Sequence, residues 1–115
     1  MLKTIPELIK LASAQIEKID ANQAKQQIAL NNGLLIDVRE PAEHALKNAV
    51  GAINIPRGVL EMKLIEIEKN VDRAIYLHCA TGGRAILAAE QLKRLGYINV
   101  TAISCKSDDV CQVFN

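Results

Sequence analysis

Apolar residues near the start of the chain recur at helical spacing. Ile5, Leu8, Ile9, Ala12 and Ile16 share one stripe, which predicts a helix from Ile5 to about Gln15. Thr4 suits its N-cap, and Pro6 and Glu7 suit its first turn. Gln15 to Ile19 then alternates like a strand, and Asp20 can cap a second helix over Ala21 to Leu30 that Asn31-Asn32-Gly33 stops. Leu34-Leu35-Ile36-Asp37-Val38 and Ala74-Ile75-Tyr76-Leu77-His78 are compact apolar runs, the mark of strands buried on both faces. Between them, Glu40-Pro41-Ala42-Glu43 opens a helix and Val50 to Ile55 forms a short strand ended by Pro56. A further helix runs from Val59 to Lys69. Ala85 to Leu95 is helical and closed by Gly96, and Asn99 to Ile103 gives a last strand. The last twelve residues are polar and weakly patterned, and read as a poorly packed tail or a short helix.

Strands alternating with helices predict an α/β fold, a parallel sheet with helices on both faces. Ligands of such sheets gather outside the carboxyl ends of the strands. That directs attention to Asp37–Glu40, Ile55–Gly58, Cys79–Arg84 and the residues from Ser104 onward.

Composition narrows the reading. A chain of 115 residues makes one domain. Half of it is apolar, with one Phe, two Tyr and no Trp, so the core is aliphatic. Fourteen basic and 13 acidic side chains leave a net charge of +1, which points to neither nucleic acid nor an acidic membrane as partner. No apolar run reaches membrane-spanning length, and the N-terminus lacks the apolar core of a signal peptide. Three irregularly spaced cysteines make no disulfide framework, so a reducing, cytoplasmic setting with free thiols is expected.

The candidate chemistry lies at one strand-to-helix junction, Cys79-Ala80-Thr81-Gly82-Gly83-Arg84. Two glycines before a helix allow the backbone to fold into a cup of N–H groups, a site for anions. Arg84 adds a planar cation suited to oxyanions. The helix terminus and the guanidinium together favour the thiolate of Cys79 over an inert buried thiol. A lone cysteine is more often a small buried hydrophobe, but that reading leaves the two glycines and the arginine unexplained. His78, ending a buried strand, reads as a hydrogen-bonded packing residue, and His44 as a solvated one. No ligand pattern for a metal is present, and no cofactor is called for.

These residues resemble the rhodanese family, the single-domain thiosulfate-type sulfurtransferases. The resemblance runs from about Ile16 to Ile103 and rests on four segments in the family's order. They are Leu35-Ile36-Asp37-Val38-Arg39-Glu40, Gly51-Ala52-Ile53-Asn54-Ile55-Pro56, the Cys79–Arg84 loop and Leu95-Gly96-Tyr97-Ile98-Asn99-Val100. It implies a five-stranded parallel sheet, a rhodanese-like domain over 16–115 and a helical extension over 1–15. It further implies that Cys79 attacks the outer sulfur of a thiosulfate-like donor, sulfite leaves, and the Cys79 persulfide passes its sulfur to a thiol, cyanide or a sulfur-relay protein. Ala80, Thr81, Gly82, Gly83 and Arg84 would bind the donor, with Arg57 at the rim. Asp37 and Arg39 would tie loops together beneath the site.

Phosphatase and arsenate-reductase relatives of this fold resemble His-Cys followed by five residues and then Arg. Here four residues separate Cys79 from Arg84, a cup better matched to sulfur than to a phosphoryl group. A non-catalytic binding module is the third reading, against which the retained Cys79 argues. Two segments depart from the family: Lys47-Asn48-Ala49-Val50, where Gly-His is common, and Ser104 to Cys111, where a Gly-Gly turn and a Trp-bearing helix are usual. In the family's sheet the last strand lies beside the one ending at Cys79. Cys105 is therefore expected near the same rim, as an acceptor or disulfide partner for Cys79 or, more plainly, an incidental residue. Cys111, farther along the tail, suggests no function.

Overall fold

A computed structural model describes residues 1–115. The elements in chain order are α1 (Ile5–Ser13), β1 (Glu17–Ile19), α2 (Ala21–Asn31), β2 (Leu34–Asp37), α3 (Pro41–Leu46) and β3 (Ile53–Asn54). A 3₁₀ turn (Arg57–Val59) follows, then α4 (Leu60–Ile67), β4 (Ile75–His78), α5 (Gly83–Leu95), β5 (Val100–Ile103) and α6 (Ser107–Val113). The strands form one sheet in the order β1-β5-β4-β2-β3, every neighbouring pair parallel. Pairing of Asp37 with His78 brings the ends of β2 and β4 level, and both open toward the same edge.

Alternation along the buried strands sorts side chains onto two cores. Ile36, Val38, Ile75, Leu77, Cys79, Val100 and Ala102 face α1, α4 and α5, where they meet Ala12, Leu60, Leu64, Ala85, Ala89 and Leu92. Leu35, Tyr76 and Ile103 face α2 and α6, against Ala21, Ala24, Val110 and Phe114. Burying a side chain such as Leu77 or Leu92, both wholly inaccessible, contributes about 1.5–3 kcal/mol each.

Local signals account for most element ends. Thr4 Oγ1 accepts the Glu7 N–H at 3.2 Å, and Asp20 closes a capping box with Gln23 at the head of α2. As expected, Asn31-Asn32-Gly33 stops α2, with Asn32 in the left-handed position at φ 56°. Gly33 is required for space: a Cβ there would stand 2.5 Å from Cε2 of the buried Tyr76 ring. The third strand shrinks to Ile53–Asn54, because Gly51 turns the chain at φ 87° before it and Pro56 follows. In α1 the stripe is narrower than its periodicity implied, for Ile9, Ala12 and Ile16 join the core whereas Ile5 and Leu8 face outward.

The C-terminal segment takes the helical of its two expected forms and is well packed. Within and just after α6, Val110, Cys111 and Phe114 are buried, and the Phe114 carbonyl accepts the Val50 N–H at 2.7 Å. Weak periodicity in Ser107–Val113 conceals this, since the helix has fewer than two full turns over which to show one.

Candidate active site

Cys79 directly follows β4 on the α5 side of the sheet and is 1 % exposed. Its Sγ lies at the head of α5, where it accepts the Gly82 N–H at 3.1 Å and the Ala85 N–H at 3.3 Å. Two donors thus converge on one sulfur at the N-terminal end of a 13-residue helix, the end at which helices bind anions. Gly82 makes the bend possible with φ 100°, a conformation costly for any residue with a Cβ. A Cβ on Gly82 would also stand 3.3 Å from the Ser104 carbonyl oxygen. Loop and tail are therefore in close contact, and the Ser107 N–H donates to the Ala80 carbonyl at 2.9 Å. Thr81 is exposed at the tip of the loop, and Ala80 and Gly83 are half-buried.

Arg84 is not a free cation. Its two terminal nitrogens reach Glu43 of α3 at 2.9 and 3.0 Å in a fork-to-fork pair, about two-fifths exposed on each side. Hydrogen bonds from Arg84 hold the Glu43 carboxyl down to about 2, so the pair is fully charged near neutrality. Glu43 reaches back through its pairing with Arg84 to the rim of the loop, a role sequence reading missed. The available signal was its place in the first turn of α3, following β2 at the same sheet edge. Arg57 pairs with Glu61 at 2.8 Å along the start of α4, and its backbone N–H donates to Val38.

Asp37 and Arg39 occupy the opposite face. Asp37 is fully buried and Arg39 nearly so; Nε and one terminal nitrogen of Arg39 hold the carboxylate at 2.8–3.1 Å. The guanidinium also donates to the Lys47 carbonyl, and Asn54 Nδ2 caps the carbonyls of Asp37 and Arg39. The β2–α3 turn is thus tied to the segment before β3. Burial opposes ionisation of Asp37, but hydrogen bonds from Arg39 and His44 win and keep its carboxyl below the ordinary range. His44 departs from its expected solvation: its Nδ1 lies 2.9 Å from Asp37 Oδ2. The α3 turn folds it back over β2, which a linear reading of its polar neighbours does not reveal.

His78 is wholly buried as expected, but not hydrogen-bonded. Neither ring nitrogen has a partner, and Nε2 stands 4.0 Å from Asp37 Oδ1. Burial pushes its pKa below the usual histidine value, with the Asp37 charge opposing, so the ring is neutral near pH 7. It points away from Cys79 by strand alternation and is not placed to take a proton from the thiol.

The expected meeting of Cys79 and Cys105 does not occur. Cys105 packs with the α2/α6 core and accepts the Ala21 N–H at 3.3 Å, whereas Cys79 belongs to the other core. β5 does lie beside β4, but the odd-numbered Cys105 emerges from it on the other face. Cys105 instead borders the largest surface cavity, about 570 Å³, with Asp20, Asn22, Asp109 and Gln112. Cys111 is buried, and all three thiols are free.

The fold has known counterparts. The family model of the rhodanese-like domain matches residues 20–105, from the cap of α2 to the end of β5 and beyond. The chain belongs to the rhodanese-like domain family. A sulfurtransferase of Allochromatium vinosum is 31 % identical over 83 residues, 71 % of this chain and 76 % of that protein. Among solved structures, the human single-domain sulfurtransferase TSTD1 has a TM-score of 0.72 at 22 % identity, covering 83 % of this chain and 95 % of that one. A Rhodopseudomonas palustris protein described as a possible tyrosine phosphatase has a TM-score of 0.80 at 22 % identity, covering 97 % and 91 %. At that identity the two structures establish the fold alone. This rhodanese-like chain has α1 in addition to the matched span, and it has no helix long and apolar enough to cross a membrane.

Proposed function

We propose that the chain is a sulfurtransferase and that Cys79 carries the sulfur. The observation that supports this most directly is the placement of Sγ against two backbone N–H groups at the head of α5. In the first step the Cys79 thiolate attacks the outer sulfur of thiosulfate or the terminal sulfur of a persulfide. The donor's S–S bond breaks, its electron pair leaves on sulfite or a thiolate, and a Cys79 persulfide anion remains. In the second step a thiol or cyanide acceptor attacks the terminal sulfur and returns Cys79 as thiolate. The N–H groups of the cup would hold the negative charge that resides on Cys79 before the first step and on its persulfide after it. Ala80, Thr81, Gly82 and Gly83 would line the donor's approach. Arg84 and Arg57 would supply positive potential from their paired positions, while Asp37 and Arg39 brace the sheet edge. Partners are thus a small anionic sulfur donor and a thiol acceptor or relay protein, in a reducing, cytoplasmic compartment that suits three free cysteines.

Incubation with thiosulfate followed by intact-mass measurement tests the reading. A gain of one sulfur atom, absent in Cys79→Ala, is the expected result. No gain, together with hydrolysis of an aryl phosphate, would replace it with phosphoryl chemistry. The His78-Cys79 pair favours that alternative, and the four-residue spacing to Arg84 weighs against it. Neither activity would leave a binding module.

A further inference from the structure

Cys79 has a difficulty for a group that must meet two substrates: it is closed off. It is 1 % exposed, and none of the five cavities of the fold is lined by a residue of the loop from Cys79 to Arg84. Part of the closure comes from α1. Ile9 extends its Cδ1 to the first residue of α5, so near that a Cβ on Gly83 would lie 2.9 Å from it. Gly83 stands between the two residues whose N–H groups hold Sγ, and Ile9 packs on the core that contains Cys79. The methyl terminus of Ile9 therefore packs on the outer side of Gly83, and a side chain at position 83 would have to push it aside.

α1 lies along α5 and is held there by few buried side chains. It is nine residues long, too short to persist as a helix without its packing, and only Ala12 within it is buried. A bond from Lys93 Nζ to the Gln15 carbonyl joins its trailing end to α5. Ile5, Leu8 and Leu11 are exposed, so most of its apolar surface makes no demand on the body of the protein.

We propose that α1 is a movable cover over Cys79 and that Ile9 is the residue setting which reactants reach the sulfur. This rests on the sulfur-transfer reading for its purpose but not for its test. With the cover down, the thiol is shielded from bulky thiols; tilting α1 about Ala14–Ile16 withdraws Ile9 from Gly83 and opens the cup. Because the closing contact is one methyl group, a small loss in Ile9 packing shifts the balance toward the open form.

Carboxamidomethylation of Cys79 by iodoacetamide, followed by peptide mapping to separate it from Cys105 and Cys111, reads access without any sulfur chemistry. The native thiol is expected to react at least tenfold more slowly than the same thiol in the urea-unfolded chain at equal pH. Ile9→Val removes only the covering Cδ1 and is expected to speed the reaction about threefold; Ile9→Ala is expected to speed it tenfold or more. Leu11→Ala, on the exposed side of α1, should leave it within a factor of 1.5. Equal rates for wild type and Ile9→Val, both shown folded by circular dichroism, would overturn the cover, as would equal acceleration by Leu11→Ala. If alkylation follows Ile9 but thiosulfate adds no sulfur, the cover stands and the sulfur-transfer reading falls.

Discussion

Replacing Gly82 by Ala probes the geometry of the cup most directly. The residue sits at φ 100°, and its added Cβ would meet the Ser104 carbonyl oxygen at 3.3 Å. An L-residue in left-handed backbone costs about 1–2 kcal/mol, and the crowded oxygen adds to that. Ala also stiffens the unfolded chain, which returns about 0.4–1 kcal/mol. A net loss of about 0.8 kcal/mol remains before the crowded oxygen is counted. With an unfolding entropy of roughly 2.1 cal/mol/K per residue, it lowers the melting temperature by about 3 °C or more. The functional effect follows from how the strain is relieved. If the backbone relaxes toward negative φ, the Gly82 N–H swings off Sγ, and a hydrogen bond to a charged group is worth about 1.5–3 kcal/mol. Single-turnover formation of the persulfide, followed by intact mass, should slow about tenfold or more. Gly58→Ala is the control, for Gly58 has ordinary φ and open space around it and should melt within about 2 °C of wild type. A Gly82→Ala protein with unaltered melting temperature and unaltered sulfur uptake would refute the reasoning, because neither the strained turn nor the donor it aims would then matter.

Two other substitutions have definite signs. His78 is buried, neutral and without a hydrogen-bond partner, and its pKa is lowered in the fold. As pH falls through about 6.5 the unfolded chain binds a proton that the folded ring refuses, so stability declines toward acid. His78→Leu removes that proton linkage; its urea midpoint should fall less between pH 7 and 5 than that of wild type, and an unchanged slope would contradict the assignment. Glu43→Gln cancels the charge that holds Arg84; the pair is exposed, so stability should change by less than about 1 kcal/mol. Uptake of sulfur from thiosulfate at low salt should rise severalfold as Arg84 becomes free to face the anion, and a fall in rate would show that the pair, not the free cation, is what the loop needs. Glu43 stays ionised down to about 2, so the wild-type rate should show no step from this carboxyl between pH 4 and 8.

The order of elements and the parallel sheet were legible in the chain because strands buried on both faces leave uninterrupted apolar runs, as in Leu34–Val38 and Ala74–His78. Cys79 and its glycines were legible for a similar reason: a loop that aims backbone donors at one point needs Gly82, and no other residue fits cheaply. What escaped was contact between distant segments. That Glu43 would hold Arg84, that His44 would turn onto Asp37, or that Ile9 would cover Gly83 depends on how α3 and α1 lie against the sheet, and local pattern carries no record of that. The misplacement of Cys105 had a different source. Adjacency of β5 to β4 was anticipated, but which face a residue leaves from depends on strand parity, and one position reverses it.

The division of the thiols between the two faces has a consequence for how long any captured sulfur would last. Within one molecule, release would require a second thiol to attack the terminal sulfur, or to attack Sγ and expel hydrosulfide as a disulfide forms, and the sheet stands between Cys79 and both Cys105 and Cys111. A loaded Cys79 would thus have no internal route to a disulfide and no way to discharge itself. Its lifetime would be set by encounter with another molecule, so unloading should be second order and scale with acceptor concentration. A chain built this way could act as a reservoir between producer and consumer, holding its cargo in dilute solution until the recipient arrives.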